Sequence, residues 1–305
     1  MKTKHAIFGF GPVGHTLASR LVAAGDEVTI ISRRGSTIPG ARAYKADAND
    51  QAMAREAAKG ADVVYNCTNA EYTRWPEELP PLYTSILRAA ISNDAKYVYT
   101  DNLYMYGPVT GPMDETLPDR PAGPKAEVRS RLGLEVLAAN KQIPTVILRS
   151  SDYYGPLVEQ SLLSVLGLSA MAKGKALPAL GDIDQPHAFT YVPDLAHALE
   201  IVGKDDRANG QVWFTPTAVP VSTREMIVLF AKDLGAKPKI MVAKRPMLRF
   251  LGLFNPMMKT LVETLYQWEA PYLLNSTKFE QTFGLKSTPL AEGITETSNS
   301  IRGNP

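Results

Sequence analysis

Three glycines near the N-terminus stand where a backbone could grip a phosphate. Gly9-Phe10-Gly11-Pro12-Val13-Gly14 follows the short apolar run His5-Ala6-Ile7-Phe8 and precedes a helix-forming stretch over residues 16–24. As strand, turn and helix, Gly9 permits the tight turn and Gly14 lets helix and strand pack closely. Gly11, expected to have no room for a β-carbon, lets backbone approach a pyrophosphate with no side chain between. The helix N-terminus then faces the anion. Glycine turns of this spacing also occur without function. Here a second apolar strand, Val28-Thr29-Ile30-Ile31, follows at the distance of a βαβ unit, so the turn reads as a dinucleotide cradle.

The end of that second strand chooses between dinucleotides. A site for NAD usually carries Asp or Glu there to hold the ribose hydroxyls. This chain has Ser32-Arg33-Arg34 instead. Two guanidiniums form charge-assisted, forked bonds to a 2′-phosphate, which a carboxylate would repel. The expected cofactor is NADP; the alternative is that the arginines are only solvated surface.

The elements that must hold these residues alternate. Strand signals near residues 4–8, 28–31, 43–46, 62–67, 96–100 and 145–149 are separated by helical stretches, the pattern of an α/β, doubly wound parallel sheet of Rossmann type. Beyond Arg149, Pro178, Gly181, Pro186, Pro193, Pro216 and Pro220 break the chain into short pieces. Residues 1–150 are therefore expected to form the cofactor domain, with about 190–214 returning to it. Residues 151–305 make mostly a smaller C-terminal substrate-binding lid, and 295–305 read as a polar, frayed tail.

Composition removes several classes of function. The chain has 305 residues, 45% hydrophobic and 21% charged, ordinary for a globular protein. Net charge is +2 without a long basic run, so no nucleic-acid partner is expected. Apolar runs fall short of the roughly 20 residues that span a bilayer, so no membrane partner is expected. A single cysteine, Cys67, rules out an internal disulfide, suits a reducing, cytoplasmic compartment, and reads as a small core residue. No metal-ligand cluster stands out.

Six further segments resemble the extended, or atypical, branch of the short-chain dehydrogenase/reductase superfamily, the NAD-dependent epimerase/dehydratase type. They are Asp47 after the third strand, Asn66-Cys67-Thr68-Asn69-Ala70 after the fourth, and Tyr97-Val98-Tyr99-Thr100 leading to Tyr106-Gly107 after the fifth. Leu148-Arg149-Ser150-Ser151-Asp152-Tyr153-Tyr154-Gly155-Pro156 follows the sixth; Phe189-Thr190-Tyr191-Val192-Pro193-Asp194-Leu195-Ala196 and residues 279–289 complete the set. The resemblance implies that Asp47 contacts the adenine amine, that Thr68 and Asn69 lie along the cofactor's linker, and that Ser151 to Tyr153 approach the nicotinamide. Asp47 also reads as a helix cap or turn residue, and Asn69 as an Asx turn.

The resemblance breaks at the catalytic signature. Such reductases place a Tyr four residues before a Lys, which with the cofactor lowers the phenol's pKa, and a Ser or Thr holds the substrate oxygen. Counting back from Lys125 gives Pro121, which transfers no proton; the serine position is Asn102, with Thr100 two residues earlier. Lys125-Ala126-Glu127-Val128-Arg129 is similar to the lysine-bearing helix of isoflavone and phenylcoumaran ether reductases, which lack the tyrosine. That likeness implies that Lys125 holds the nicotinamide ribose and acts as the acid; the alternative is a surface lysine in a first helical turn. Tyr104 and Tyr106 could supply a phenol, and Tyr104 is the freer of the two because Tyr106 matches a structural position of the family.

Nucleotide-sugar enzymes of this type commonly carry an Arg, which grips the diphosphate, where this chain has His187. Residues 246–258 add Leu248, Phe250, Leu251, Leu253, Phe254 and Met257, either as an apolar pocket for a small substrate or as lid core. The expected function is NADPH-dependent reduction of a small, apolar carbonyl or activated alkene. Two alternatives stay open: a non-catalytic NADP-binding regulator, similar to redox-sensing transcriptional co-regulators of this fold, and a sugar epimerase or dehydratase. A homodimer is compatible with the sequence.

Overall fold

A computed structural model describes residues 2–303. From the N-terminus the chain forms β1 (Lys4–Phe8), α1 (Pro12–Ala23), β2 (Glu27–Ser32), β3 (Arg42–Lys45), α2 (Gln51–Ala57), β4 (Val63–Asn66) and α3 (Trp75–Ser92). It continues through β5 (Lys96–Asp101), α4 (Pro124–Ala139), β6 (Thr145–Arg149), β7 (Asp152–Tyr154), α5 (Val165–Ala172), β8 (Leu177–Leu180), β9 (Pro186–His187) and β10 (Phe189–Tyr191). Then come α6 (Val192–Lys204), β11 (Gln211–Phe214), β12 (Val221–Ser222), α7 (Thr223–Asp233) and β13 (Ile240–Ala243). The last helices are α8 (Arg245–Leu251), α9 (Pro256–Thr264), α10 (Thr277–Phe283) and α11 (Leu290–Arg302).

The chain divides into two compact units, one of residues 1–105, 124–150 and 195–215, the other of residues 106–123, 151–194 and 216–305. In the first, seven strands form one sheet in the order β11-β6-β5-β4-β1-β2-β3, with every pair parallel. This is the doubly wound α/β architecture expected from the alternation. Strands buried on both faces are continuously apolar: Ala6, Ile7 and Phe8 of β1, and Val146, Ile147 and Leu148 of β6, have almost no exposure. The edge strand β3, Arg42-Ala43-Tyr44-Lys45, is mostly exposed. Because β2 lies on one side of β1 and β4 on the other, the winding reverses there, and a crevice opens at the carboxyl ends of those strands.

Several helices start where a side chain satisfies orphan amides. The Asp50 carboxylate accepts from the Ala52 and Met53 amides to cap α2, and Ser222 and Glu225 cap α7 reciprocally. Among the described residues the second unit holds two-stranded pieces, β7–β10, β8–β13 and β9–β12, around a core that includes Tyr154, Leu168, Phe230 and Trp268. Of the tail expected to fray, residues 295–302 instead belong to α11, which runs to Arg302 with Thr297 and Ser298 buried, and residues 304–305 lie outside the described residues. Polar composition misled there because small hydroxyl side chains bury readily once bonded, as Thr297 Oγ1 is to the Gly293 carbonyl (2.6 Å).

One buried charge cluster ties the first unit together. Asp101, at the end of β5, is 2% exposed and accepts from Arg149 Nε of β6 (3.2 Å), Arg129 Nη1 of α4 (3.4 Å) and the Tyr99 hydroxyl (3.1 Å). Burial works against the Arg129 charge, but Tyr83, Tyr99 and Asp101 outweigh it and hold its pKa well above the ordinary value. Removing one partner of a buried pair strands the other charge. Asp101→Asn is therefore expected to destabilise the protein by about 3–5 kcal/mol, read as a shift in the urea unfolding midpoint.

Candidate functional site

The glycine turn is built as its sequence requires, with one correction. Gly9 has φ +102°, and a β-carbon there would lie 2.6 Å from the Cys67 carbonyl oxygen. One at Gly14 would collide with the Gly9 carbonyl. Gly11 was expected to have no room, yet a β-carbon there meets nothing within 4 Å, so the fold itself does not demand glycine at this position. Gly11 instead caps α1 with no side-chain hydrogen bond, Pro12 opens the helix, and its first turn carries no acid. The amides of Val13 and Gly14 are left without helical acceptors beside open space, while Phe10 and Pro12 flank the turn half-buried. That arrangement fits a dinucleotide pyrophosphate.

At the end of β2 the Ser32 hydroxyl accepts from the Ser36 amide (3.1 Å), and the Gly35 amide bonds back to the Ser32 carbonyl (3.2 Å). Arg33 and Arg34 sit exposed in this turn. Asp47 accepts from the amide and side-chain nitrogen of Asn49, both at 3.0 Å, and the Asn49 amide, its side chain and the charge of Arg33 hold the carboxyl below its usual value. Asp47 is thus fixed as a turn carboxylate, close enough to Arg33 to feel its charge.

The ends of β4 and β5 are cross-wired. Asn66 donates to the Tyr97 hydroxyl (3.0 Å) and its oxygen accepts from the amide and hydroxyl of Thr68 (3.1 and 2.6 Å). The Thr68 carbonyl accepts from Tyr83 (2.7 Å), and exposed Asn69 accepts from the Ala70 amide (3.0 Å) and Arg129 (3.5 Å). Thr100 lies 3.8 Å from the Cys67 sulfur. Asn102 accepts from the Tyr104 amide (3.1 Å), which fixes the one-turn helix carrying Tyr104.

Lys125 is not a surface residue: it is 3% exposed, and its Nζ stands 4.8 Å from the ring centre of Tyr72. The surface alternative fails because α4 turns this position inward with Arg129, one helical turn on, which lies 4.3 Å over Trp75. The Tyr72 and Tyr104 hydroxyls are 3.2 Å apart, and Trp75 stacks on Tyr104 (5.7 Å between centres). Two cations and three aromatic rings therefore share one cluster. Tyr72, Trp75, Asp101 and Arg129 were not singled out from the sequence as site residues; the i,i+4 spacing of Lys125 and Arg129 was the available signal.

In the second unit the Ser151 amide donates to Thr190 Oγ1 (3.0 Å), and its buried hydroxyl has no hydrogen-bond partner among the described residues. Tyr153 is half-buried in β7. His187 is occupied structurally: its ring stacks on Trp268 (4.0 Å between centres), Nδ1 is 3.2 Å from the Gln267 carbonyl and Nε2 is 2.9 Å from Asp152. The apolar run of residues 246–258 enters the core of this unit at Leu248, but most of its named side chains do not. Leu248 alone of the six named side chains is buried, Leu251 is half-buried, and the other four are exposed. A cavity of this unit, about 570 Å³, is lined by charged groups including Asp182, Asp184, Arg224 and Lys244, with Pro246 the only contribution from that run.

Cys67 is half-exposed as a residue, but its sulfur is enclosed, and burial pushes the thiol pKa up to about 12. Only the thiolate reacts with alkylating agents. Iodoacetamide at pH 8 is expected to modify the native protein at least about 100-fold more slowly than the urea-unfolded chain, a difference read by mass spectrometry.

No curated protein matches the chain. Solved structures match it along nearly its whole length. The UDP-glucose 4-epimerase of Thermus thermophilus, solved with NAD, is 19% identical over 99% of both chains with a TM-score of 0.83. The dTDP-glucose 4,6-dehydratase of Streptomyces venezuelae, solved with NAD, is 18% identical over 99% of this chain and 98% of that one, with a TM-score of 0.81. A dTDP-glucose 4,6-dehydratase of Bacillus anthracis, also with NAD, is 17% identical over 99% and 97%, with a TM-score of 0.80. At such identities the likeness establishes the fold. Residues 7–213 also match the sequence pattern of a single family, and the chain belongs to that family, the NAD dependent epimerase/dehydratase family.

Proposed function

We propose that this member of the family binds NADP(H) and reduces a small carbonyl or activated-alkene substrate. The observation that carries the reading is the buried Lys125 beside the Tyr72–Tyr104 hydroxyl pair, at the carboxyl end of β5, in a chain whose usual tyrosine position is Pro121. When bound, the dinucleotide supplies hydride. Tyr104 then donates its hydroxyl proton to the substrate oxygen or carbanion, Tyr72 hydrogen-bonds the phenolate left behind, and the Lys125 charge favours that anion. Asn102 holds the turn that aims Tyr104.

Cofactor preference rests on Arg33 and Arg34, the end of β2 carrying no acid. The glycine turn, Ser32, Asp47, Thr68, Asn69 and Thr100 line the carboxyl edge from β1 to β5 and support a dinucleotide along it. A sugar-nucleotide reaction is disfavoured because His187, where a diphosphate-gripping Arg is usual, is buried and committed to Asp152.

Titration is expected to show NADPH bound more tightly than NADH by about 1–3 kcal/mol, with Arg33→Ala plus Arg34→Ala removing most of the gap. Equal affinities in the parent protein would exclude the NADP assignment. Gly11→Val is expected to abolish binding while circular dichroism and thermal midpoint stay at parental values, because its side chain enters open space that only a ligand would fill.

The catalytic assignment is tested by a screen of aldehydes, ketones and activated alkenes with NADPH, alongside UDP-glucose. Lys125→Met and Tyr104→Phe are each expected to lower kcat by about 10²- to 10⁴-fold on any substrate found, with NADPH affinity measured separately. Parental turnover in Tyr104→Phe would exclude it as the proton donor. Turnover of the nucleotide sugar alone would favour epimerase chemistry, and tight NADPH binding without any turnover would favour the regulator.

A further inference from the structure

Helices α8 and α9 form a hairpin whose apolar side chains turn toward solvent. Phe250, Leu253 and Phe254 are 64%, 74% and 78% exposed, and Met247 and Met257 are also exposed. The hairpin tip is closed by hydrogen bonds of its own. The Gly252 amide bonds to the Leu248 carbonyl (2.8 Å), Phe254 to Leu251 (3.1 Å), and the Asn255 side chain accepts from the Met257 amide (2.9 Å) to start α9. Gly252 permits the turn, since a β-carbon there would lie 3.0 Å from the backbone of Leu248 and Lys259. Phe250 and Phe254 pack edge to face, 5.9 Å between centres. A wedge of apolar groups in water is costly unless something covers it.

The surrounding charge says what covers it. Residues 234–262 contain Lys237, Lys239, Lys244, Arg245, Arg249 and Lys259 and no Asp or Glu, although the whole chain carries only +2. The rest of the chain is therefore net acidic, and its positive excess is concentrated on this segment. Arg245 is held by Glu269, Lys239 Nζ donates to the Gly174 carbonyl (3.0 Å) and Lys244 lines a cavity with Asp182 and Asp184, whereas Arg249 and Lys259, on the hairpin itself, are exposed, as is Lys237. Long cationic side chains beside Phe, Leu and Met are the composition of a surface that enters the headgroup layer of an anionic bilayer, burying its apolar tip while the ammonium and guanidinium groups meet lipid phosphates. The tip is also short enough to stay within the interface. No helix among the described residues is long and apolar enough to cross a membrane, and interfacial seating requires none.

We propose that the α8–α9 hairpin is a peripheral docking surface for anionic lipid bilayers. The expectation of no membrane partner came from the want of a spanning segment, a criterion that does not detect this mode of binding. The inference does not depend on the proposed reaction.

Flotation with vesicles of phosphatidylcholine alone, and of phosphatidylcholine with about 30% phosphatidylserine, tests it on the full chain. The parent protein is expected to float with the anionic vesicles at low salt, at least ~10-fold more than with the neutral ones, and to be released as salt rises. The exposed-site variant Phe250→Ser, Leu253→Ser, Phe254→Ser is expected to lose at least ~10-fold of this binding, as is Lys244→Glu, Arg249→Glu, Lys259→Glu, with unchanged thermal midpoints. Absence of flotation, or equal flotation of parent and serine variant, overturns the proposal. So does sedimentation velocity showing a lipid-free dimer that the serine variant abolishes while neither protein floats, which would assign the patch to a second copy of the chain.

Discussion

The candidate site in the first unit depends on where one buried carboxylate sits. Asp101 ends β5 between Arg149 of β6 and Arg129 of α4, with Tyr99 completing its shell. One negative charge between two buried positive ones is tolerable only because phenol oxygens share the load: Arg129 also donates to the Tyr99 and Tyr83 hydroxyls. Holding Arg129 fixes the face of α4 turned toward the sheet, and the same face carries Lys125 one turn earlier. Arg129 in turn lies over Trp75, which stacks on Tyr104. A structural ion cluster and a candidate proton-transfer cluster are thus one contiguous object.

Parallel strand order supplies the rest of the geometry. Reversal of winding beside β1 gathers the loops after β1, β2, β4 and β5 at one edge, so that segments far apart in sequence face a common crevice. Glycine acts there in two distinct ways. Gly9 and Gly14 are required by the fold, because neighbouring backbone occupies the place of their missing β-carbons, whereas nothing in the fold itself requires glycine at Gly11.

Features written in local pattern were legible in the sequence: the alternation of strands and helices, the glycine turn, and the absence of an acid after β2. Features that depend on which way a helix faces were not. Lys125 reads equally as surface or site until α4 is docked, and residues 246–258 read as pocket or core although four of their six named apolar side chains face water. Apolar composition states that burial is favourable without stating by what. The polar α11 erred in the opposite direction, since Thr297 finds its partner inside its own helix.

A crystal structure with NADP⁺ bound tests the account most directly through one set of distances. The pyrophosphate is expected on the Val13 and Gly14 amides, and the 2′-phosphate within about 3 Å of Arg33 or Arg34. The Tyr104 hydroxyl or Lys125 ammonium is expected within about 3 Å of the nicotinamide ribose or of a substrate-mimicking ligand. A dinucleotide bound with both arginines directed into solvent and the Tyr72–Tyr104–Lys125 cluster remote from the nicotinamide would contradict it.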